Sequence, residues 1–209
     1  MKDADASWEK FLNPLSLRQN LVAASVFLVA YEMLRQALIG HLRSFFGNNW
    51  TLDEVCEVTP EYRENVLSLE KKEIVACAKW FRLHGGLEDD DLVTLKDITD
   101  QRNVIAHELP AIVFSNEKNI SAIHLRSIYI LTAKVDNWWL REIEIPTNPE
   151  CDGMSDEEIE RSSSLRVMLM SMLVELAEGD DSALVELYRL WKEAVTTSQN
   201  AQPGRQTCH

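Results

Sequence analysis

Arg102, Asn103 and His107 stand within one short run, Thr99-Asp100-Gln101-Arg102-Asn103-Val104-Ile105-Ala106-His107-Glu108, and all three side chains suit phosphate chemistry. An arginine presents a fixed fork of N–H donors that matches phosphate oxygens and keeps its proton at biological pH. A histidine titrates near neutrality and so serves as general base or general acid. The Asn103 carboxamide, beside the arginine, can orient a substrate or the imidazole.

The run must be helical to bring these groups together. The pattern predicts a helix that opens after Leu87 and stops before Pro110. At about 100° per residue, Thr99, Arg102, Asn103, Ala106 and His107 then fall within roughly 140° of one face. Groups of this polarity are seldom buried without partners, so the face is expected to meet a cleft or another subunit. A purely structural reading stands beside this one. Arg102 would make an ordinary salt bridge with Asp97 or Asp100, and His107 would cap the helix end.

Arg102-Asn103-Val104-Ile105-Ala106-His107 resembles the R-x4-6-H motif of the HEPN superfamily, including the polar residue directly after the arginine. The resemblance implies a small, typically dimeric, helical bundle, and for many members a metal-independent endoribonuclease of toxin–antitoxin, phage-defence or CRISPR systems. It implies Arg102, Asn103 and His107 as the catalytic residues. RNA is cut without a metal when its own 2′-hydroxyl attacks the adjacent phosphate. That needs a base, a donor for charge on the phosphorane and an acid for the leaving 5′-oxygen. One histidine cannot be base and acid in a single displacement, and a two-fold dimer would supply two. The resemblance implies such a composite site. Family members silenced by a nucleotidyltransferase partner often carry a tyrosine two residues after the histidine. Here that position is Leu109, so modification of that tyrosine is not carried over. An antitoxin or other regulatory protein partner remains open. The rival from another class is a non-catalytic helical module that binds a nucleotide, a phosphate or acidic residues, or that ties two subunits together.

The 209 residues fit one domain, or one domain with an appendage, and 45% hydrophobic content supplies a sizeable core. A net charge of −13 argues against a generally basic, nucleic-acid-coating surface. The charge is uneven, however. Residues from Pro146 onward hold 12 acidic and 5 basic side chains, leaving 22 and 16 for the first 145, so a local basic cleft is compatible with the total. Cys56, Cys77, Cys151 and Cys208 have no C-x-x-C spacing and no paired histidines, so no zinc site and no cofactor is expected. With no signal peptide read at the N-terminus, the expectation is a reducing cytoplasm and free thiols. The apolar stretch Leu21 to Tyr31 is too short for a membrane span and reads as a core helix.

Few glycines and prolines and long helix-period segments predict an all-α, up-and-down bundle with long helices and a C-terminal helical hairpin. The expected units are a bundle over 1–145, a hairpin over 146–197 packed on the bundle or across a dimer, and a disordered tail over 198–209. Within the bundle, a short helix precedes Asn13 and the longest helix runs from Leu15 to Phe46. Its later half carries Glu32, Arg35 and His41, read either as a solvated edge or, for Glu32, as support for Arg102. A second short helix covers Leu52 to Thr59. Thr59-Pro60 opens a helix reaching about His84, with a break near Ser68, and Gly85-Gly86 closes it. Ala111 to Phe114 begins an extended loop, and Ser121 to Glu144 is helical with Trp138 and Trp139 read as packing rather than base-stacking residues. Pro146 to Gly153 is a linker. Ser155 starts a Met-rich helix to about Glu178, and Ser182 to about Val195 forms the last helix.

Overall fold

The computed structural model describes residues 12–47, 58–114, 122–178 and 182–200, and among them it is helical with no strand. The fold is the expected all-α bundle. Its elements are α1 (Pro14–Phe46), α2 (Pro60–Asn65), a 3-10 turn (Leu67–Leu69), α3 (Glu73–Leu83) and α4 (Asp89–Phe114). After these come α5 (Ala122–Trp139), α6 (Asp156–Arg161), α7 (Leu165–Glu178) and α8 (Ser182–Asn200). A π-helical turn, Leu140–Glu144, carries α5 on to Thr147. The two short helices expected before Asn13 and over Leu52 to Thr59 fall almost wholly outside the described residues.

The apolar middle of α1 makes it the central helix. Phe27, Ala30, Leu34, Ala37, Leu38 and Leu42 are fully buried, and α3, α4, α5 and α7 pack around them. Each such leucine or phenylalanine removed from water contributes about 1.5–3 kcal/mol. By length and composition α1 could cross a membrane, but half of its apolar window is buried against the other helices.

Helix starts and stops follow local stereochemistry at several points. The Thr59 hydroxyl accepts from the Tyr62 N–H at 3.2 Å and donates to the Phe46 carbonyl at 3.0 Å, tying α2 to the end of α1. The break near Ser68 is present, because Glu70 and Lys72 adopt extended backbone. Gly85, at φ +82°, lets its N–H reach the Arg82 carbonyl and that of Gly86 reach the Phe81 carbonyl, a Schellman closure of α3.

Gly86 has a second duty. A Cβ there would lie 3.1 Å from the Phe81 and Trp138 rings. Those rings meet edge to face at 5.6 Å, and Trp80 holds Trp138 from another side at 6.1 Å, so neither is free to retreat. Gly86→Ala is therefore expected to lower stability by about 1–3 kcal/mol, the usual result of overpacking. Chemical denaturation checks it, with a reduced midpoint at unchanged slope.

Four expectations are corrected. Pro110 does not stop the motif helix: α4 kinks at Glu108 (φ −118°, ψ 20°) and continues to Phe114, so Ala111 to Phe114 is helix and not extended loop. Pro110 has no N–H to offer the Ala106 carbonyl, which explains the kink. The helix begun by the Ser155–Glu158 capping box ends at Arg161 instead of running to Glu178. Ser162-Ser163-Ser164 interrupts it, and the Ser164 hydroxyl caps α7 by accepting from the Val167 N–H at 3.1 Å. The last helix extends to Asn200, so residues 198–200 of the expected tail are helical. Finally, His41 is no solvated edge but part of a buried cluster described below. α7 packs against α1 and α5 through residues such as Met170, whereas the described side chains of α8 from Val185 to Ala194 are exposed.

Candidate functional site

α4 is positioned at its start by a buried acid. Asp91 accepts the Glu88 backbone N–H at 2.8 Å, completing the first turn, and both its oxygens meet Lys134 Nζ of α5 at 2.8 and 2.9 Å. Leu95, Ile98 and Ile105 then bury one side of the helix against the core. Asn103 and His107 lie on the far side, and Arg102 on the flank between them and the buried residues.

Arg102 lies at the edge of that face next to α1. Its guanidinium carbon is 5.6 Å from the centroid of the Tyr31 ring, and Nη2 is 3.9 Å from Glu32 Oε1. Nη1 reaches Asn103 Oδ1 only at 3.5 Å, and Nε is enclosed without a hydrogen-bond partner. With 35% of the side chain exposed, most of the guanidinium's donor capacity is unspent. Glu32 also faces Arg35 at 3.6 Å. Its supporting position beside Arg102 is thus present, whereas among the described residues Arg102 makes no salt bridge with Asp97 or Asp100.

Asn103, Ala106 and His107 are exposed, and among the described residues no hydrogen bond holds the His107 ring. The kink begins at the next residue. The Thr99 hydroxyl is turned to its own helix, donating to the Leu95 carbonyl at 2.8 Å. In the single chain the motif face is open to solvent. It has one anchored cation at its α1 edge and one unrestrained imidazole about 140° around the helix. No family model, curated protein or solved structure matches the chain. The resemblance to the HEPN motif therefore rests on the run Arg102 to His107 in the sequence. Among the described residues there is no cluster of His, Cys, Asp or Glu able to hold a metal ion.

Two polar clusters, one buried and one partly buried, went unseen in the sequence. Asp136 of α5, 3% exposed, accepts from Ser164 Oγ at 2.6 Å and Arg166 Nη1 at 2.8 Å, and lies 2.8 Å from His41 Nε2. The His41 ring stacks on Trp139 at 4.6 Å. Burial by itself would raise the Asp136 pKa. The hydrogen bonds from His41 and Ser164 and the charge of Arg166 outweigh it and hold the carboxyl below its ordinary value. Serine and histidine both face the carboxylate here and no imidazole reaches the serine, so the cluster is a clasp for α7.

In the second cluster Arg43 grips Glu73 through two hydrogen bonds of 2.8 and 2.9 Å, and the Tyr62 hydroxyl donates to Glu73 at 2.9 Å. Tyr62 also lies 3.3 Å from Cys77 Sγ. Burial pushes the Cys77 thiol up to about 11, which makes it the inert buried thiol expected from its stripe. The signal for both clusters was only an isolated polar residue in an apolar pattern.

Proposed function

We propose that this protein is a HEPN-like, metal-independent endoribonuclease of the toxin–antitoxin or phage-defence type, acting as a homodimer with Arg102, Asn103 and His107 as its catalytic set. The observation that carries the reading is the state of the motif face. The guanidinium is anchored by Tyr31 and Glu32 yet keeps donors unspent, while Asn103 and His107 stand exposed on the same helix. A structural role for His107 would leave its ring bonded, and among the described residues it is not.

In this mechanism His107 of one protomer takes the proton of the RNA 2′-hydroxyl as that oxygen attacks phosphorus. Arg102 donates to the non-bridging oxygens as negative charge grows there. The bond from phosphorus to the 5′-oxygen breaks, and the second copy's histidine, protonated, supplies the proton that oxygen needs. The products are a 2′,3′-cyclic phosphate and a 5′-hydroxyl. Asn103 orients the substrate phosphate or the imidazole.

Purified protein is expected to cut single-stranded RNA in excess EDTA, leaving cyclic-phosphate ends that resist phosphatase until opened by acid. Cleavage that vanishes with the chelator, or ends in a free 3′-hydroxyl, overturns this mechanism.

The second reading is a non-catalytic dimeric binding or regulatory module. Glu32 favours it, since a carboxylate 3.9 Å from the guanidinium offsets part of the charge a phosphate would seek. Under this reading RNA stays intact and the Arg102–Glu32 pair serves subunit contact alone.

A further inference from the structure

A groove of about 450 Å³ lies between α3 and α4, one turn before the motif. The chain between the 3-10 turn and α3, extended at Glu70 and Lys72, forms part of its lining. Its walls are aliphatic, with Ile74 and Val75 on one side and Leu92 and Leu95 on the other. Its rim carries Lys71, Lys72 and Lys96.

The three lysines are exposed, and none makes an ion pair among the described residues. Two carboxylates also line the groove. Glu70 is already held by Lys79 at 2.8 Å, which leaves Asp100 as the single opposing charge. In a chain of net charge −13 this is a local cationic surplus. It is also aligned with the motif. Lys96, Asp100, Asn103 and His107 follow one another at spacings of four, three and four residues. That spacing puts them in one stripe along α4, about 16 Å from end to end.

We infer that this groove is the binding track for single-stranded RNA leading to His107. Lys71, Lys72 and Lys96 contact the phosphates, and the aliphatic notch takes an unstacked base. The inference rests on the ribonuclease reading and gives its substrate a path. Three features favour a nucleic acid over an acidic protein segment. The cations sit on both walls of a notch, as a backbone running over a turned-in base requires. The notch offers aliphatic walls to a base. The stripe then continues into groups that suit a phosphodiester.

The test is fluorescence anisotropy with a labelled single-stranded RNA roughly twelve nucleotides long. His107→Ala is used as the background so that the probe survives. Lys71→Glu/Lys72→Glu/Lys96→Glu in that background is expected to weaken binding about 10–100-fold and to reduce the slope of log K against log salt by about 2. The triple Lys→Arg variant, which keeps the charge, should bind like the background protein. Equal binding by the Lys→Glu variant, with RNA cleavage by the wild type intact, overturns the groove and leaves the nuclease reading standing. Lysine-dependent binding without cleavage by the wild type overturns the nuclease reading and keeps the groove. Capture of a polyglutamate peptide in place of RNA overturns the inference in favour of a protein partner.

Discussion

His107→Ala is expected to slow RNA cleavage about 10²–10⁴-fold, the usual contribution of a positioned general acid–base group. The loss should appear in single-turnover rate with little change in RNA affinity, because the imidazole moves protons and the binding charge resides elsewhere. The fold should not suffer. His107 is exposed and no described residue bonds to its ring, so an unchanged thermal midpoint is the control. Arg102→Lys is the companion: the charge remains but the fork does not, and the packing over Tyr31 at 5.6 Å is altered. In a composite dimer, mixing His107→Ala with Arg102→Ala protein tells more. If each site draws groups from both chains, mixtures behave differently from the average of the two parents. Undiminished cleavage by His107→Ala removes the proposed base and sinks the catalytic reading. Glu32→Gln then separates the two functional readings. Removing the carboxylate beside the guanidinium should strengthen RNA binding in a nuclease and do nothing for it in a tie between subunits.

Helix limits set by local stereochemistry were legible residue by residue. Thr59 before Pro60, Gly85 after Leu83 and Ser155 before Glu158 each solve the problem of unpaired backbone groups within a few residues, and each appears where the pattern put it. Limits set by distant partners were not legible. The α6–α7 break looks like continuous helix in sequence because no glycine or proline stands between Ser155 and Glu178. What interrupts it is Ser164, whose hydroxyl is claimed by Asp136, 28 residues away. His41 read as one more polar residue on a long helix for the same reason, since its partner is 95 residues distant. At Pro110 the local rule was right about the lost hydrogen bond and wrong about the consequence. The chain kinked and resumed, as it does where packing compensates for one missing bond. For the motif, the sequence revealed which residues share a face. It could not say that Tyr31 lies beneath the arginine, because that contact depends on how α1 crosses α4.

Asp136→Ala is expected to destabilise the protein by about 3–5 kcal/mol, the cost of leaving a buried ionic partner uncompensated. The carboxylate is 3% exposed and serves Ser164, Arg166 and His41 at once, so its loss releases the α7 start and strands Arg166 near the core. Urea denaturation measures the loss. As a contrast, Arg189→Ala, which removes only the exposed Arg189–Glu186 and Arg189–Glu193 pairs on α8, should leave the midpoint nearly unchanged. The same cluster fixes a pH response. Burial raises the Asp136 pKa, but the His41 and Ser164 hydrogen bonds and the Arg166 charge bring it below the ordinary carboxylate value. A depressed folded-state pKa gives stability that is fully present above the unfolded value, about 4, and is lost as pH falls through the folded value beneath it. Because Trp139 stacks on His41 at 4.6 Å, tryptophan fluorescence followed down through that window reports the loosening. Asp136→Asn keeps the shape and removes the titration. It should begin less stable at neutral pH and lack this component of the acid response, and an acid transition identical to wild type would show that another carboxylate carries it.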